Sequence, residues 1–171
     1  QAEALKKLNL KGIGFVKESK RCYPNGYLAS QAIGFAGLDN KGLEGLELYY
    51  DRYLRGEPGA AVVLRDARSK RLDIYQDMLL PKDGYDLVLT IDEVIQYIAE
   101  RELEKAFASS SAMGASIVVL DPKSGGVLAL ASQPDFDMNQ HSNVSKDQIR
   151  NRAICDMFEP GSVFKIVTAS A

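Results

Sequence analysis

Apolar positions along the chain fall into a few distinct patterns, and each predicts a different element. Ile91, Val94, Ile95, Ile98, Leu103 and Phe107 recur at helical spacing over the longest such run, with acidic residues in its first turn. Thr90-Ile91-Asp92-Glu93 ahead of it reads as a capping box, with Thr90 as N-cap and Glu93 reaching back. Residues 115–120 and 127–132 are nearly continuous apolar runs joined by Asp121-Pro122-Lys123-Ser124-Gly125-Gly126, which predicts a hairpin inside a covered antiparallel sheet. A second hairpin is predicted from residues 60–66 and 72–77 around the polar stretch 67–71, and a further strand at 85–89.

The first sixty residues are more broken. Leu5 and Leu8 fit the tail of an amphipathic helix, 13–18 a short strand, and Pro24-Asn25-Gly26 a turn. Residues 27–36 are small and apolar, predicting a helix that feeds a strand; a loop carrying Gly37, Gly42 and Gly45 then enters a helix closing near Gly56. These glycines lack the lysine and hydroxyl partner of a phosphate loop, which argues against nucleotide binding. Pro81-Lys82-Asp83-Gly84 marks a domain boundary, and Ser145-Lys146-Asp147-Gln148 a capping box opening a short helix.

With 46% hydrophobic and 26% charged residues and a net charge of −2, the chain has no basic field for nucleic acid, so no nucleic-acid partner is expected. No apolar run reaches the ~20 residues that cross a bilayer. Asp135, Asp137 and the single histidine, His141, lack a second histidine or cysteine at ligand spacing, so neither a metal nor a cofactor is expected. Cys22 and Cys155 read as two unrelated buried thiols, with a disulfide as the alternative.

The chemistry is expected at Glu159-Pro160-Gly161-Ser162-Val163-Phe164-Lys165. The Pro-Gly pair places Ser162 at a helix start, where residues three apart share a face and Lys165 lies within reach of the Ser162 hydroxyl. Serine needs a neighbour to take its proton. Burial beside Val163, Phe164 and Ile166, together with the helix dipole, is expected to hold Lys165 neutral for that task. Thirteen serines and twelve lysines in 171 residues supply ~1 Ser-x-x-Lys match by chance, so the motif alone says little.

Its surroundings say more. Arg150-Asn151-Arg152-Ala153-Ile154 followed by Glu159 to Lys165 resembles the segment around the active-site serine of class B penicillin-binding proteins, the peptidoglycan D,D-transpeptidases. The words Arg21-x-Tyr23-Pro24-x-Gly26, Gly34-Phe35-x-Gly37-x-Asp39 and Gly42-Leu43-x-Gly45-x-Glu47 resemble their pedestal domain, and Leu89-Thr90-Ile91-Asp92 the opening of their catalytic domain.

The resemblance implies an α+β fold: a pedestal (dimerisation-type) domain at 1–58, a hairpin linker at 59–82 and the first part of a transpeptidase domain at 83–171. It implies Ser162 as the acylated nucleophile, Lys165 as its proton acceptor, and Arg21, Asp39 and Glu47 as ion-pairing residues between domains. It implies stem peptides ending in D-Ala-D-Ala as substrate, β-lactams as inhibitors, no cofactor, and partners such as a membrane-embedded glycan polymerase and other wall-synthesis proteins. The pedestal words lie closer to the division-type than to the elongation-type branch. An extracytoplasmic location is implied, with an N-terminal membrane anchor ahead of Gln1.

The family's Ser-x-Asn triplet and its strand-borne Lys-Thr-Gly or Lys-Ser-Gly motif are not found, so the 171-residue chain alone is expected not to turn over substrate. A scaffold role for the pedestal in the wall-synthesis machinery is the alternative from another class. A serine β-lactamase or β-lactam sensor is a third, less compatible with the block from Arg21 to Glu47.

Overall fold

The computed structural model describes residues 19–65 and 71–170, together with Glu3, Leu5, Leu8, Leu10 and 12–15; for 61–78 it is the backbone alone that is considered. Most of the predicted helix tail at 1–9 and the second half of the strand at 13–18 lie outside the described residues, and 13–15 are irregular.

Short helices α1 (Ser30–Ile33), α2 (Gly45–Tyr49) and α3 (Asp51–Leu54) build the first part. The strand expected after α1 is reduced to a single bridge between Ala36 and Gly42. Gly34, at φ 75°, sits where an added Cβ would fall 1.8 Å from the Glu44 carbonyl oxygen, so only glycine lets α1 and α2 approach this closely. Both predicted hairpins form: β1 (Ala60–Arg65) pairs antiparallel with β2 (Arg71–Leu79), and β3 (Ala115–Leu120) with β4 (Val127–Gln133). Residues 66–70 of the first connection lie outside the described residues.

The predicted strand at 85–89 does not form. Past the single bridge between Lys82 and Glu57, residues 83–90 are exposed irregular backbone, because a strand needs a ladder partner and among the described residues 85–89 make one backbone bond, from the Tyr85 N–H to the Tyr53 carbonyl. The long helix does form, as α4 (Glu93–Ser110), but one capping choice differs from expectation. Asp92 is the N-cap, accepting from the N–H groups of Val94 and Ile95 at 3.0 and 2.9 Å. Thr90 is unavailable because its hydroxyl donates to the Val127 carbonyl at 2.7 Å, while Asp92 N–H bonds to Leu128. Tertiary docking against the start of β4 thus decided between two good capping residues.

α4 lies on one face of the β3–β4 hairpin, where Ala99 and Leu103 meet Ala129 and Ala131, with Ile95, Ile117 and Val119 at the margin. The other face is open in part, since Val118 and Leu120 are about half exposed; the expected double covering is not supplied by the described residues. The predicted capping box is present at Ser145 and Gln148, opening α5 (Lys146–Ile149); α6 (Arg152–Cys155) follows against β3 and β4.

A second core cluster joins sequence-distant parts: Tyr23 and Phe35 pack with Phe136 and Met138. Phe35 meets Phe136 edge-on at 5.8 Å and stacks on the His141 ring at 4.5 Å. Residues 21–36 therefore share one interior with 136–149, across the predicted boundary at 81–84.

Candidate active site

Ser162 lies in a 3₁₀ turn, Gly161–Phe164, which runs directly into α7 (Lys165–Ser170). Pro160 precedes the turn with helical φ and ψ, and Gly161 follows at φ 53°, so the Pro-Gly pair sets the start as expected. The Lys165 N–H bonds to the Ser162 carbonyl, and in a 3₁₀ turn residues three apart eclipse. The two side chains therefore leave the backbone on one side, a tighter alignment than an α-helical turn gives.

The expected burial of Lys165 is not met. Residues 157–170 are exposed throughout, Met157 completely and Phe158 at 78%. Among the described residues no other element covers this segment, and neither the Ser162 hydroxyl nor the Lys165 amine has a hydrogen-bond or ion-pair partner. The dry surroundings that proton transfer between them calls for must come from elsewhere.

A Lys-Ser-Gly string does occur, at Lys123-Ser124-Gly125, but it lies in the β3–β4 turn and not on a strand. Asp121 holds it there, accepting from the Lys123 N–H at 3.1 Å and the Ser124 hydroxyl at 2.6 Å. The string is turn chemistry.

Of the three residues expected to ion-pair between domains, two meet each other within the first part, and none reaches an ionic partner in the helix–hairpin layer among the described residues. Arg21 Nε donates to Glu47 Oε1 at 2.7 Å, and Glu47, only 6% exposed, also accepts from the Tyr23 hydroxyl at 3.2 Å. That hydroxyl accepts from the Ala36 N–H at 2.8 Å, and burial pushes the phenol up to about 12. Asp39 instead faces Lys41 at 3.0 Å, both well exposed. The hydrogen bonds from the Lys41 side chain and backbone hold its carboxyl below the usual range.

Four residues that sequence reasoning passed over tie the first part to later segments and α4 to β4. Gln31 Nε2 lies 3.0 Å from the Pro134 and Gln148 carbonyls and 3.3 Å from that of Ser132. Asn139 and Tyr23 exchange two bonds, Tyr23 N–H to Asn139 Oδ1 at 3.0 Å and Asn139 Nδ2 to the Tyr23 carbonyl at 2.8 Å. Gln96, fully buried, acts on Leu130 as a strand neighbour would: its Oε1 accepts from the Leu130 N–H at 2.7 Å and its Nε2 donates to the Leu130 carbonyl at 3.0 Å. Glu100 accepts from Gln96 Nε2 and from the N–H of Ala29, both at 2.7 Å. Burial raises the Glu100 carboxyl, with nearby Asp135 adding to the effect. A glutamine at 96 and a glutamate at 100 among the apolar positions of α4 was the available signal, since a polar group on a packed face needs a partner.

His141 is used structurally, its Nδ1 lying 3.0 Å from the Met138 carbonyl, and Asp137 caps the 3₁₀ segment Met138–Asn143. No group of metal-binding side chains is found among the described residues. Cys22 and Cys155 are both free, and both are exposed where burial was expected. No helix among the described residues is long and apolar enough to cross a membrane. A groove of ≈ 830 Å³ lies between α2, the segment 89–91 and α5–α6, and neither Ser162 nor Lys165 lines it.

Comparison with known proteins accounts for this arrangement. The signature of the Penicillin-binding Protein dimerisation domain matches residues 1–89, and that of the Penicillin binding protein transpeptidase domain matches 115–171. Stage V sporulation protein D of Bacillus subtilis is 43% identical over 100% of this chain and 27% of its own length. The probable peptidoglycan D,D-transpeptidase PenA of Neisseria meningitidis is 45% identical over 96% of this chain and 29% of its own. Penicillin binding protein 3 of Mycobacterium tuberculosis, in a structure complexed with aztreonam, superposes with a TM-score of 0.71 at 38% identity, over 88% of this chain and 30% of that one. The chain thus spans less than a third of the length of these relatives. On two signatures that together cover most of its residues, and with the α+β arrangement shared with solved relatives, the chain belongs to the class B penicillin-binding proteins.

Proposed function

We propose that residues 1–171 are part of a peptidoglycan D,D-transpeptidase, with a pedestal at 1–58, a hairpin linker at 59–82 and the opening of the transpeptidase domain at 83–171. Ser162 is the nucleophile and Lys165 its proton acceptor. The observation that carries this is the 3₁₀ turn, which sets Ser162 and Lys165 on one side of the chain. The serine oxygen attacks the carbonyl between the two D-alanines of a stem peptide as its proton passes to the lysine amine. The bond to the terminal D-alanine breaks, and that residue leaves carrying the proton. The amine of a second stem peptide then attacks the serine ester and regenerates the hydroxyl. β-Lactams acylate the same oxygen, in keeping with the aztreonam complex of the Mycobacterium tuberculosis relative.

The same proposal places the protein outside the cytoplasm, held by an N-terminal span, with a membrane-embedded glycan polymerase as partner. Exposed Tyr49, Tyr53 and Tyr85, in a row with ring centroids 4.8 to 6.5 Å apart through Tyr50, support a contact face there. We assign the protein to the division-type branch. The identity to a sporulation protein over the whole chain supports a second reading, wall synthesis confined to sporulation.

A fluorescent penicillin distinguishes the catalytic reading from a scaffold. In a chain of the relatives' full length, one equivalent of label is expected at Ser162, located by peptide mapping and absent from Ser162→Ala. Label elsewhere, or none, would sink it.

A further inference from the structure

Asp156 is the last half-buried residue before the exposed run that carries Ser162, and it is held by two arginines. Arg150 Nη2 faces its Oδ1, and Arg152 Nη1 lies 3.3 Å from its Oδ2. Arg152 Nη2 turns the other way, 3.6 Å from Asp147 Oδ1. The Arg152 side chain is 17% exposed, and its guanidinium lies on the backbone of Gly114, just ahead of β3. A Cβ at position 114 would fall 2.5 Å from Arg152 Nε and 2.7 Å from Cδ and Cζ, so glycine alone admits the arginine there. Nε finds no acceptor among the described residues, which leaves the grip to the two Nη atoms.

We infer that Arg152, seated on Gly114 and bonded to Asp156, is a positioning residue that fixes where the chain leaves the folded layer for the turn bearing Ser162. This rests on the proposed role of Ser162. The six residues from Asp156 to Ser162 reach at most ~20 Å when extended, and among the described residues nothing downstream ties them to the layer, so the direction set at Asp156 governs where the turn arrives. An arginine fork suits this task because it lies flat on a glycine and spans two carboxylates, neither of which a lysine can do.

The test measures acylation by a fluorescent penicillin in a full-length chain, resolving the saturating rate from the apparent Kd. Arg152→Ala and Gly114→Ala are each expected to lower the saturating rate about 10- to 100-fold with apparent Kd nearly unchanged, since an ~1 Å misplacement costs on that order. Gly114→Ala keeps every charge and acts only by displacing the guanidinium. Arg152→Lys, which is expected to fold, should lose about tenfold and so recover part of the Ala loss. Parental saturating rates in Gly114→Ala and Arg152→Lys would overturn the inference, as would a loss confined to apparent Kd or one equal to the lost folded fraction. If the parent itself is not labelled at Ser162, the proposed function fails instead, and the two failures are separable.

Discussion

Residues 21–36 are held against α4 and β4 largely by uncharged amides, whereas the run leading to Ser162 is held by ionised side chains near the surface. At the first junction Gln31 and Asn139 bond to backbone groups of chain neighbours far away in sequence, and within the layer Gln96 joins α4 to β4 in the same way. At the second, Arg150 and Arg152 bond to carboxylates within six residues of themselves. A buried amide costs little to desolvate once paired and has direction at both ends, so it suits a joint meant to keep one geometry. An ion pair nearer the surface is screened by salt, so its hold on the departing chain depends on ionic strength. A hold indifferent to salt is placed where the two parts meet, and a salt-sensitive one where the chain leaves the layer toward Ser162.

The comparison is broken most severely by Gln96→Ala. It strips both Leu130 backbone groups of their partner and opens space behind β4, so chemical denaturation of the 171-residue chain should report a loss of about 3–5 kcal/mol. A loss under ~1 kcal/mol would mean that water replaces the amide at no cost, and that α4 is not held to β4 as described.

A smaller effect, of opposite sign, is expected at Glu100. Its folded-state pKa is raised by burial, so at neutral pH the folded chain carries an ionised, half-buried carboxylate at a cost. That cost is full above the raised pKa. It falls as the pH drops through that value, because the folded chain takes up the proton first, and it is gone below the ordinary glutamate value of 4.5. Glu100→Gln retains an acceptor for the Ala29 N–H without the charge. It should raise the melting temperature at pH 7, with the gain shrinking to nothing toward pH 4; a gain that persists at pH 4 would contradict this account.

The smallest effect belongs to the serine run. Phe164 is 57% exposed, so Phe164→Ser should leave the stability of this chain within about 0.5 kcal/mol of the parent. A larger loss would show that the run packs on the layer in solution.

Legibility in the sequence followed the range of the interactions. Both hairpins, α4 and the Ser145–Gln148 capping box were readable because turn residues and apolar period act within a dozen positions. The turn start at Gly161 and Ser162 was readable for the same reason, being set by the adjoining Pro160-Gly161 pair. Thr90 was misassigned as the cap because its hydroxyl is claimed by Val127, 37 residues on. The strand at 85–89 failed for want of a partner that no local pattern announces. The amide clasps were invisible because a glutamine's spacing on its own helix does not say which distant carbonyl it meets. Lys165 illustrates the reverse error: apolar neighbours in sequence were taken for burial, and burial depends on what else packs there.

The exchange of bonds between Tyr23 and Asn139 bridges 116 positions, and the bond from Gln31 to the Gln148 carbonyl bridges 117. At synthesis rates of ~5–20 residues per second, the early segment waits on the order of ten seconds for its mates to be made. Throughout that interval Phe35 and Tyr23 have nothing to shelter them, so a nascent chain is open to capture by a holdase or to mispairing with another copy until residue 149 has emerged.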